Sequence, residues 1–251
     1  MMTYKQWHDN DLTFNNEMMI YFCQCDIHSN LILSELLRIT TDTAVEDYNQ
    51  RGLSYDFLRD HDAAILVSRV AFNIHRMPQA NEHILIRTWE ETPEALQLMR
   101  PYEITDMDGT RLVSGYSAWL LVHHASHRII RTKDFTLRPP ITRKEEHDCP
   151  YPGKLALPEN IESLGEHIIG NSEIDANGHV NSSRYGALTI DALPEKYADK
   201  EFTGFHLNYV KEAKKGSPIL YFGAFDDAAK KILIVGKQGD TPCFESELLY
   251  K

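Results

Sequence analysis

Residues 172–185 read Ser-Glu-Ile-Asp-Ala-Asn-Gly-His-Val-Asn-Ser-Ser-Arg-Tyr, and they join three polar side chains to the start of a helix. Asp175, Asn177 and His179 are spaced by two residues, so an extended chain would place their side chains on one side. The helix that follows would bring free backbone N–H groups and the positive end of its dipole close to them. This combination predicts a hydrolytic site. The alternative is a polar turn, because Asn-Gly is a common turn pair and Asn181 is an ordinary helix cap.

One helix followed by several strands is the order of elements around this stretch. Apolar residues at 168–174 lead into it, and the helix pattern covers about 183–193 before Pro194 ends it. Strands are predicted after the helix at Phe202–Ala213, Ile219–Phe225, Ile232–Val235 and Phe244–Leu249. The second half of the chain is therefore expected to form an α+β unit.

The first half of the chain repeats this order of elements. An apolar run at Met18–Cys25 precedes a helix pattern at about Leu31–Tyr48, and Gly52 suits a position beyond the helix end. Predicted strands contain Leu66, Val70, Phe72 and Ile74 on one side, then Ile84–Arg87, a strand that begins at Leu96 and Leu98, and Leu112–Val122, with Asp108-Gly109 as a hairpin turn.

Similar positions recur in the two halves at a nearly constant separation. Asn73 and Asn208 are 135 positions apart, whereas Ile27 and Ile174 are 147 apart. The difference predicts a longer helix-to-strand connection in the first half, around residues 54–62. This self-similarity indicates a duplication of one unit.

The predicted domain boundaries follow from the same comparison. The first unit spans 1–130 and the second spans 158–251. The segment between them, 131–157, carries four prolines and mixed charges without a sustained period, so it is interpreted as a linker.

Composition excludes several classes of protein. The net charge is −11 at pH 7 with no basic stripe, so no nucleic-acid partner is expected. No run approaches the roughly 18 apolar residues of a membrane helix, and the N-terminus has no apolar signal core. We therefore expect a cytoplasmic protein without membrane insertion. We expect neither a metal nor a cofactor, because His123, His124 and His127 have no clustered acidic or thiol ligands and no Gly-rich phosphate loop is present.

The stretch at 172–185 resembles the active-site signature of the acyl-acyl carrier protein thioesterases, a family of plant plastid and bacterial enzymes. That signature is Asp-x-Asn-x-His-Val-Asn, followed by a Tyr and an apolar helix. Tyr209–Ser217, which reads Tyr-Val-Lys-Glu-Ala-Lys-Lys-Gly-Ser, is similar to the family's second segment, Tyr-x-x-Glu-Cys with polar residues after it. The resemblance covers nearly the whole chain. It implies a double hot-dog fold, in which two tandem units each have a central helix wrapped by an antiparallel sheet.

The resemblance also implies an activity and a set of site residues. The activity is hydrolysis of the thioester of fatty acyl-acyl carrier protein (acyl-ACP), which releases free fatty acid and ends chain elongation. The implied catalytic residues are Asp175, Asn177, His179 and Glu212, and the implied substrate-binding residues are Asn181 and Tyr185. The alternatives are an acyl-CoA thioesterase on the same fold and a non-catalytic protein that binds acyl thioesters.

One position departs from the family pattern. Ala213 stands where plant members often carry Cys, so a cysteine nucleophile cannot operate there. Glu212 or His179 would then activate water as a general base, and direct attack by the Asp175 carboxylate is the other possible chemistry. The first-unit counterpart of Glu212 is Met77, which cannot transfer protons, so one active site per chain is predicted.

The implied partner is acyl carrier protein with an acyl chain on its phosphopantetheine. This carrier is acidic and so is the chain, which means that docking requires a local basic patch. The candidate patch consists of Arg184, Lys211, Lys214 and Lys215. Solvated lysines at a strand end are the alternative interpretation. The sequence leaves a homo-oligomer open.

Overall fold

The protein is described by a computed structural model that covers residues 4–146, 148, 150–158 and 160–251. The helices of this part of the chain are α1 (Leu33–Gln50), α2 (Tyr55–Asp60), α3 (Arg184–Asp191) and α4 (Glu195–Ala198). Its strands are β1 (Gln6–His8), β2 (Phe14–Met19), β3 (Ala64–Ile74), β4 (His83–Thr88), β5 (Glu91–Glu94), β6 (Gln97–Asp106), β7 (Arg111–Val122), β8 (Glu162–Ile168), β9 (Phe202–Tyr209), β10 (Pro218–Asp226), β11 (Lys231–Gln238) and β12 (Thr241–Tyr250).

The strands form one antiparallel sheet whose order is symmetric about its centre. The order is β1-β2-β4-β6-β7-β3-β9-β12-β11-β10-β8, with β5 paired to β6. Outward from the centre, β3, β7, β6, β4 and β2 of the first half therefore correspond to β9, β12, β11, β10 and β8 of the second. Each half adds one principal helix, α1 or α3, after its first corresponding strand. The two tandem units predicted from the sequence are confirmed.

The β3–β9 seam fixes the relationship between the units. Ala71 pairs directly with His206, and these two residues are 135 positions apart. On either side of them, Arg69 pairs with Asn208 and Asn73 pairs with Gly204. A local two-fold axis therefore passes between Ala71 and His206, and the separation of 135 predicted for the strands is correct.

The separation of 147 positions predicted between equivalent residues before the two helices is wrong by two residues. Single antiparallel bridges join Cys25 to Leu31 and Ile174 to Val180. Cys25, and not Ile27, is therefore the counterpart of Ile174, at a separation of 149. Ile27 is almost fully exposed at the tip of its turn, so its apolar character suggested a false match.

The extra length of the first unit lies mainly in its helix. The helix α1 has 18 residues and α3 has 8. The sequence predicted that the additional residues lie around 54–62, and this prediction is therefore wrong for most of them. The additional turns of α1 carry Asp47 and Tyr48, which are both buried against the sheet.

Two strand predictions also change in detail. Val70, Phe72 and Ile74 are buried as expected, but Leu66 is 45% exposed. The reason is a bulge in β3 between Val67 and Arg69, which reverses the alternation of sides. The strand expected to begin at Leu96 begins one residue later, because a tight turn from β5 precedes it.

The helices α1 and α3 meet in the core between the two units. A Cβ atom added to Gly186 would lie 2.8 Å from the backbone nitrogen of Ser34 and 2.9 Å from the carbonyl carbon of Leu33. Only glycine allows the first turn of α3 to approach α1 so closely. This contact holds the start of α3, and the signature loop before it, against the first unit.

The segment between the units crosses the side of the sheet opposite the core. On β3, the Asn73 amide donates to the carbonyl oxygen of Asp148 at 3.1 Å, and the Asp148 carboxylate lies 3.0 Å from Nε2 of His75. On β9, the Asn208 amide lies within hydrogen-bond distance of Gly153 and Leu155. The domain boundaries predicted from the sequence stay predictions, since this segment contacts both units.

A buried charge cluster lies under the C-terminal half of α1 and contains Asp47, Arg51, Glu90, Arg100 and Arg138. The guanidinium of Arg100 is fully buried and lies 2.7 Å from the Asp47 carboxylate. Arg51 and Arg138 contact Glu90 at 2.6 and 2.8 Å. Burial raises the pKa of both carboxyls, but the arginines outweigh it, so the pKa of each lies below its ordinary value.

A helix with the length and apolar character needed to span a bilayer is absent from the described residues.

Candidate active site

The signature loop forms a turn and not the extended segment that we predicted. The N–H of Asp175 donates to the carbonyl oxygen of His179 at 2.9 Å, and Gly178 has a positive φ of 81°. Oδ1 of Asp175 accepts the N–H groups of Asn177 at 2.8 Å and His179 at 3.4 Å. The Asn177-Gly178 pair is therefore part of a tight turn within the candidate site. The Asp175 carboxylate shapes the loop that presents the other two side chains.

The turn brings His179 against Glu212, which lies 33 positions later in the chain. Nε2 of His179 is 3.0 Å from Oε2 of Glu212, and the two side chains are 29% and 50% exposed. The two segments are also joined by their backbones, since the Val180 N–H donates to the Ala213 carbonyl oxygen at 3.3 Å. A carboxylate and an imidazole in contact, both open to solvent, can accept and return a proton.

Asn177 is the third polar side chain at this place. It is exposed, and its amide forms no hydrogen bond to any of the described residues. Its backbone is nevertheless fixed by the Asp175 carboxylate. A fixed backbone with an unused amide group is suited to orient a substrate carbonyl or a water molecule.

Asn181 and Tyr185 have structural partners of their own. Oδ1 of Asn181 accepts the N–H and the hydroxyl of Ser183 at 2.9 and 2.8 Å, at the start of α3. The Tyr185 hydroxyl accepts the Ala213 N–H at 3.2 Å. Burial raises the pKa of Tyr185 to about 12. Both side chains thus support the loop, and their contact with substrate stays a prediction.

The four residues of the candidate basic patch, Arg184, Lys211, Lys214 and Lys215, are all exposed. The three lysines flank Glu212 in the segment between β9 and β10. Within the described residues, no carboxylate lies at ion-pair distance from them. A guanidinium nitrogen of Arg184 lies 3.4 Å from the carbonyl oxygen of Ser172.

The first unit contains a copy of the signature loop that sequence reasoning missed. Oδ1 of Asp26 accepts the N–H groups of His28 and Asn30, both at 2.9 Å. The Asp26 N–H donates to the Asn30 carbonyl oxygen at 2.8 Å, as Asp175 does to His179. The positions of imidazole and amide are interchanged between the two loops. The signal in the sequence was Asp-x-His-x-Asn, which has the same spacing as Asp-x-Asn-x-His.

Within the described residues, the copy has no carboxylate at the place of Glu212, although Nε2 of its His28 lies 3.6 Å from a carboxylate oxygen of Asp199. The Leu31 N–H donates to the Pro78 carbonyl oxygen at 2.8 Å, as Val180 donates to Ala213. The residue before Pro78 is Met77, so Met77 is the structural counterpart of Glu212.

Two open cavities formed by the described residues lie away from this site. A groove of about 1030 Å³ is lined by residues 156–158 and 160–162, by Lys196 and Tyr197 of α4, and by parts of β10 and β11. A second cavity of about 480 Å³ lies near His61 and Phe135. None of the four candidate catalytic residues lines either one, so the site is identified by its chemistry and not by a cavity.

Models of known families cover most of the chain. The acyl-ACP thioesterase N-terminal domain matches residues 11–138, and the acyl-ACP thioesterase C-terminal domain matches residues 166–242. The chain belongs to the acyl-ACP thioesterase family. It is accordingly a thioester hydrolase that releases fatty acid from acyl-ACP. The C-terminal match contains the signature loop and Glu212, while the N-terminal match contains the Asp26 loop and Met77.

Solved acyl-ACP thioesterases share the fold. An acyl-ACP thioesterase from Bacteroides thetaiotaomicron superimposes with a TM-score of 0.86 at 21% identity, over 95% of this chain and 98% of that one. The 12:0-ACP thioesterase from Umbellularia californica gives a TM-score of 0.77 at 14% identity, over 95% and 97%. The double hot-dog fold is therefore confirmed. No curated protein sequence matches the chain significantly.

Proposed function

We propose that Glu212 and His179 together activate the water molecule that hydrolyses the acyl-ACP thioester. The observation that carries this proposal is the 3.0 Å contact between Nε2 of His179 and Oε2 of Glu212. Glu212 is the group that meets water, because half of its side chain is exposed. The His179 imidazole lies directly beside this carboxylate and, when protonated, pairs with its charge.

The reaction then follows from the positions of these groups. The water oxygen attacks the thioester carbonyl carbon while Glu212 accepts one of the water protons. The tetrahedral intermediate collapses, the C–S bond breaks, and the proton passes from Glu212 to the departing sulfur. A thiol with a pKa of about 8.5 is a good leaving group, so activation of water is the demanding step.

Asp175 acts through the loop and not as the nucleophile. Its Oδ1 accepts two backbone N–H groups, and charge-assisted bonds of this kind stabilise a carboxylate. A carboxylate stabilised in this way attacks a carbonyl poorly. Its hydrogen bonds to Asn177 and His179 instead place both side chains.

The start of α3 is a weaker oxyanion site than the sequence suggested. The Ser183 N–H donates to Oδ1 of Asn181, and the Arg184 N–H donates to the Asn181 carbonyl oxygen. Two donors of the first turn are therefore already in use. The unused amide of Asn177 is the better donor for the developing oxyanion, a contact worth about 3–4 kcal/mol in comparable enzymes.

The carrier is expected to dock at the basic patch. Lys211, Lys214 and Lys215 surround Glu212 and have no acidic partner in the described residues, so they are free to contact an acidic protein. In a chain with a net charge of −11, such a local patch counters the repulsion between the two proteins.

Replacement of Glu212 by glutamine tests the proposal. Glu212→Gln keeps the size of the side chain but removes the base, so kcat for thiol release from acyl-ACP should fall by roughly 10²- to 10⁴-fold. Glu201→Gln is the matched control, since Glu201 is an exposed glutamate in a surface ion pair with Lys251. A folded Glu212→Gln protein with more than half of the wild-type kcat would refute the assigned role.

A further inference from the structure

Glu212 lies in the segment 210–217, which joins β9 to β10 and contains no helix or strand. The segment is anchored before Glu212 by one carbonyl group. The N–H groups of Val210 and Lys211 both donate to the carbonyl oxygen of Cys243, at 2.9 and 3.1 Å. Because Cys243 belongs to β12, the entry to the segment is fixed to the sheet.

The segment is anchored again immediately after Glu212. The Ala213 N–H donates to the hydroxyl of Tyr185, and the Ala213 carbonyl oxygen accepts the Val180 N–H. Ala213 itself is fully buried. These bonds tie the segment to the signature loop and to α3.

Gln238 anchors the remainder of the segment with a single side chain. Its Oε1 accepts the Lys214 N–H at 2.9 Å, and its Nε2 donates to the carbonyl oxygens of Lys214 at 2.8 Å and Ser217 at 3.0 Å. The amide therefore pairs with the Lys214 backbone on both sides, as a neighbouring strand would. Gln238 ends β11, whose residues 232–236 are buried, so its own backbone is held by the core.

We propose that Gln238 is a positioning residue for Glu212. This proposal rests on the role of Glu212 proposed above. The half-exposed Glu212 carboxylate has one described side-chain partner, His179, so its place depends on the backbone of its segment. A displacement of about 1 Å at a reacting group can cost about 100-fold in rate. The hydrogen bonds of the Gln238 side chain to described residues go to Lys214 and Ser217 and not to His179 or Glu212, so it acts through the backbone that follows Glu212.

The first unit provides a matched control. Ile86 pairs with Ile104, and its counterpart Tyr221 pairs with Gly236, so Asp106 is the counterpart of Gln238. The Asp106 carboxylate accepts the N–H groups of Asp108 and Thr110 within its own hairpin. Loss of these bonds loosens the β6–β7 hairpin, which is the counterpart of the β11–β12 hairpin that contains Gln238, without affecting the Glu212 segment.

The test compares Gln238→Leu with Asp106→Ala in steady-state assays of thiol release from acyl-ACP. For Gln238→Leu we expect kcat to fall about tenfold or more, because the base is misplaced. KM for acyl-CoA, a substrate without the acidic surface of the carrier, should change less than about twofold. Asp106→Ala should keep the wild-type kcat. If the apolar leucine perturbs folding, Gln238→Ser gives the same comparison.

A double-mutant cycle separates positioning from general stabilisation. In the Glu212→Gln background, Gln238→Leu should cause no further loss of kcat, because both changes act on the same base. Independent losses in the double variant would overturn the inference, as would unchanged kcat in folded Gln238→Leu or an equal loss in Asp106→Ala. Retained activity of Glu212→Gln alone would instead overturn the proposed role of Glu212, so the two failures are distinguishable.

Discussion

Asp26 and Asp175 occupy equivalent positions in the two units, and each carboxylate accepts the backbone N–H groups two and four residues further along the chain. The two turns therefore have the same backbone design. They differ in what stands opposite: Glu212 lies against the second turn, and Met77 occupies the corresponding place at the first. Under the role proposed for Glu212, side chains and not the fold of the loop distinguish the catalytic unit from the other one.

This pair allows a direct comparison of two similar substitutions. Asp175→Ala should lower kcat by at least tenfold, since the loop that carries His179 and Asn177 loses both of its carboxylate bonds, and misplaced groups of this kind typically cost about 10- to 100-fold. Asp26→Ala removes the same number of bonds from the first turn and should leave kcat within about twofold. The readout is the rate of thiol release at saturating acyl-ACP. Equal losses in the two variants would mean that both turns serve one site, contrary to the prediction of a single site in the second unit.

The close approach of α3 to α1 predicts a stability effect at Gly186. The Gly186→Ala substitution forces a Cβ atom to within 2.8 Å of the Ser34 backbone, which cannot move aside as a flexible side chain would. Overpacking of this kind costs typically about 1–3 kcal/mol, so the midpoint of thermal unfolding should fall. Gly153→Ala is the control, because its added Cβ atom would meet only ordinary contacts at 3.7 Å or more. Unchanged stability of Gly186→Ala would show that the helices separate without cost.

The buried charge cluster predicts a larger loss of stability. Arg100→Met leaves the Asp47 carboxylate buried without its shortest ion pair, and loss of one partner of a buried pair costs about 3–5 kcal/mol. Chemical denaturation at neutral pH measures this difference. Arg59→Met removes exposed ion pairs with Asp56 and Asp60 and should leave the free energy of unfolding nearly unchanged. An equally small change in the free energy of unfolding for Arg100→Met would mean that the cluster contributes little to stability.

The same cluster predicts the direction of acid sensitivity. The pKa values of Asp47 and Glu90 are lowered in the folded protein from ordinary values of 3.8 and 4.5. Their contribution to stability is therefore complete above those ordinary values and is lost as the pH falls through the lower, folded ones. Arg100→Met removes a cause of the lowering for both carboxyls, so its loss of stability should begin at higher pH than in the wild type. Acid titration followed by circular dichroism would show an unchanged midpoint if the arginine had no such effect.

The basic patch predicts a difference between two substrates with the same thioester. Reversal of two charges, in Lys214→Glu with Lys215→Glu, should raise KM for acyl-ACP much more than KM for acyl-CoA, because only the carrier has an extended acidic surface. The effect should weaken as salt is added, since the screening length is about 8 Å at physiological ionic strength. Charge reversal at Lys154 and Lys200, two exposed lysines outside the patch, is the control. Equal changes for both substrates would mean damage to the site, and no change would place the dock elsewhere.

The sequence predicted the architecture well where periodic patterns and turn residues agree. Ile84 and Ile86 are buried on β4 as expected, and Asp108-Gly109 turns the β6–β7 hairpin. The bulge that exposes Leu66 could not be predicted, because one extra residue in a strand leaves no mark in an apolar pattern. Such a bulge is fixed by pairing with β7, which is a tertiary contact.

The candidate site was predicted in composition but not in geometry. The contact of His179 with Glu212 joins residues 33 positions apart and was anticipated only through the family resemblance. Spacing by two residues suggested a shared side of an extended chain, whereas the Asp175 carboxylate bends the chain into a turn. Gln238 carries no sequence signal at all, since an amide at a strand end gains its role only from the backbone that folds against it.

The covalent connection between the units has a consequence for how such an enzyme can diverge. In a dimer of identical chains, every substitution appears twice, so the loss of one catalytic carboxylate removes both sites. Here the two halves of the sheet are encoded separately, and Met77 could arise without affecting Glu212. With Glu212 in its proposed role, fusion frees one half from the demands of catalysis while the other half keeps them. That freed half can accumulate features with no counterpart, such as the long α1 and the charges buried beneath it.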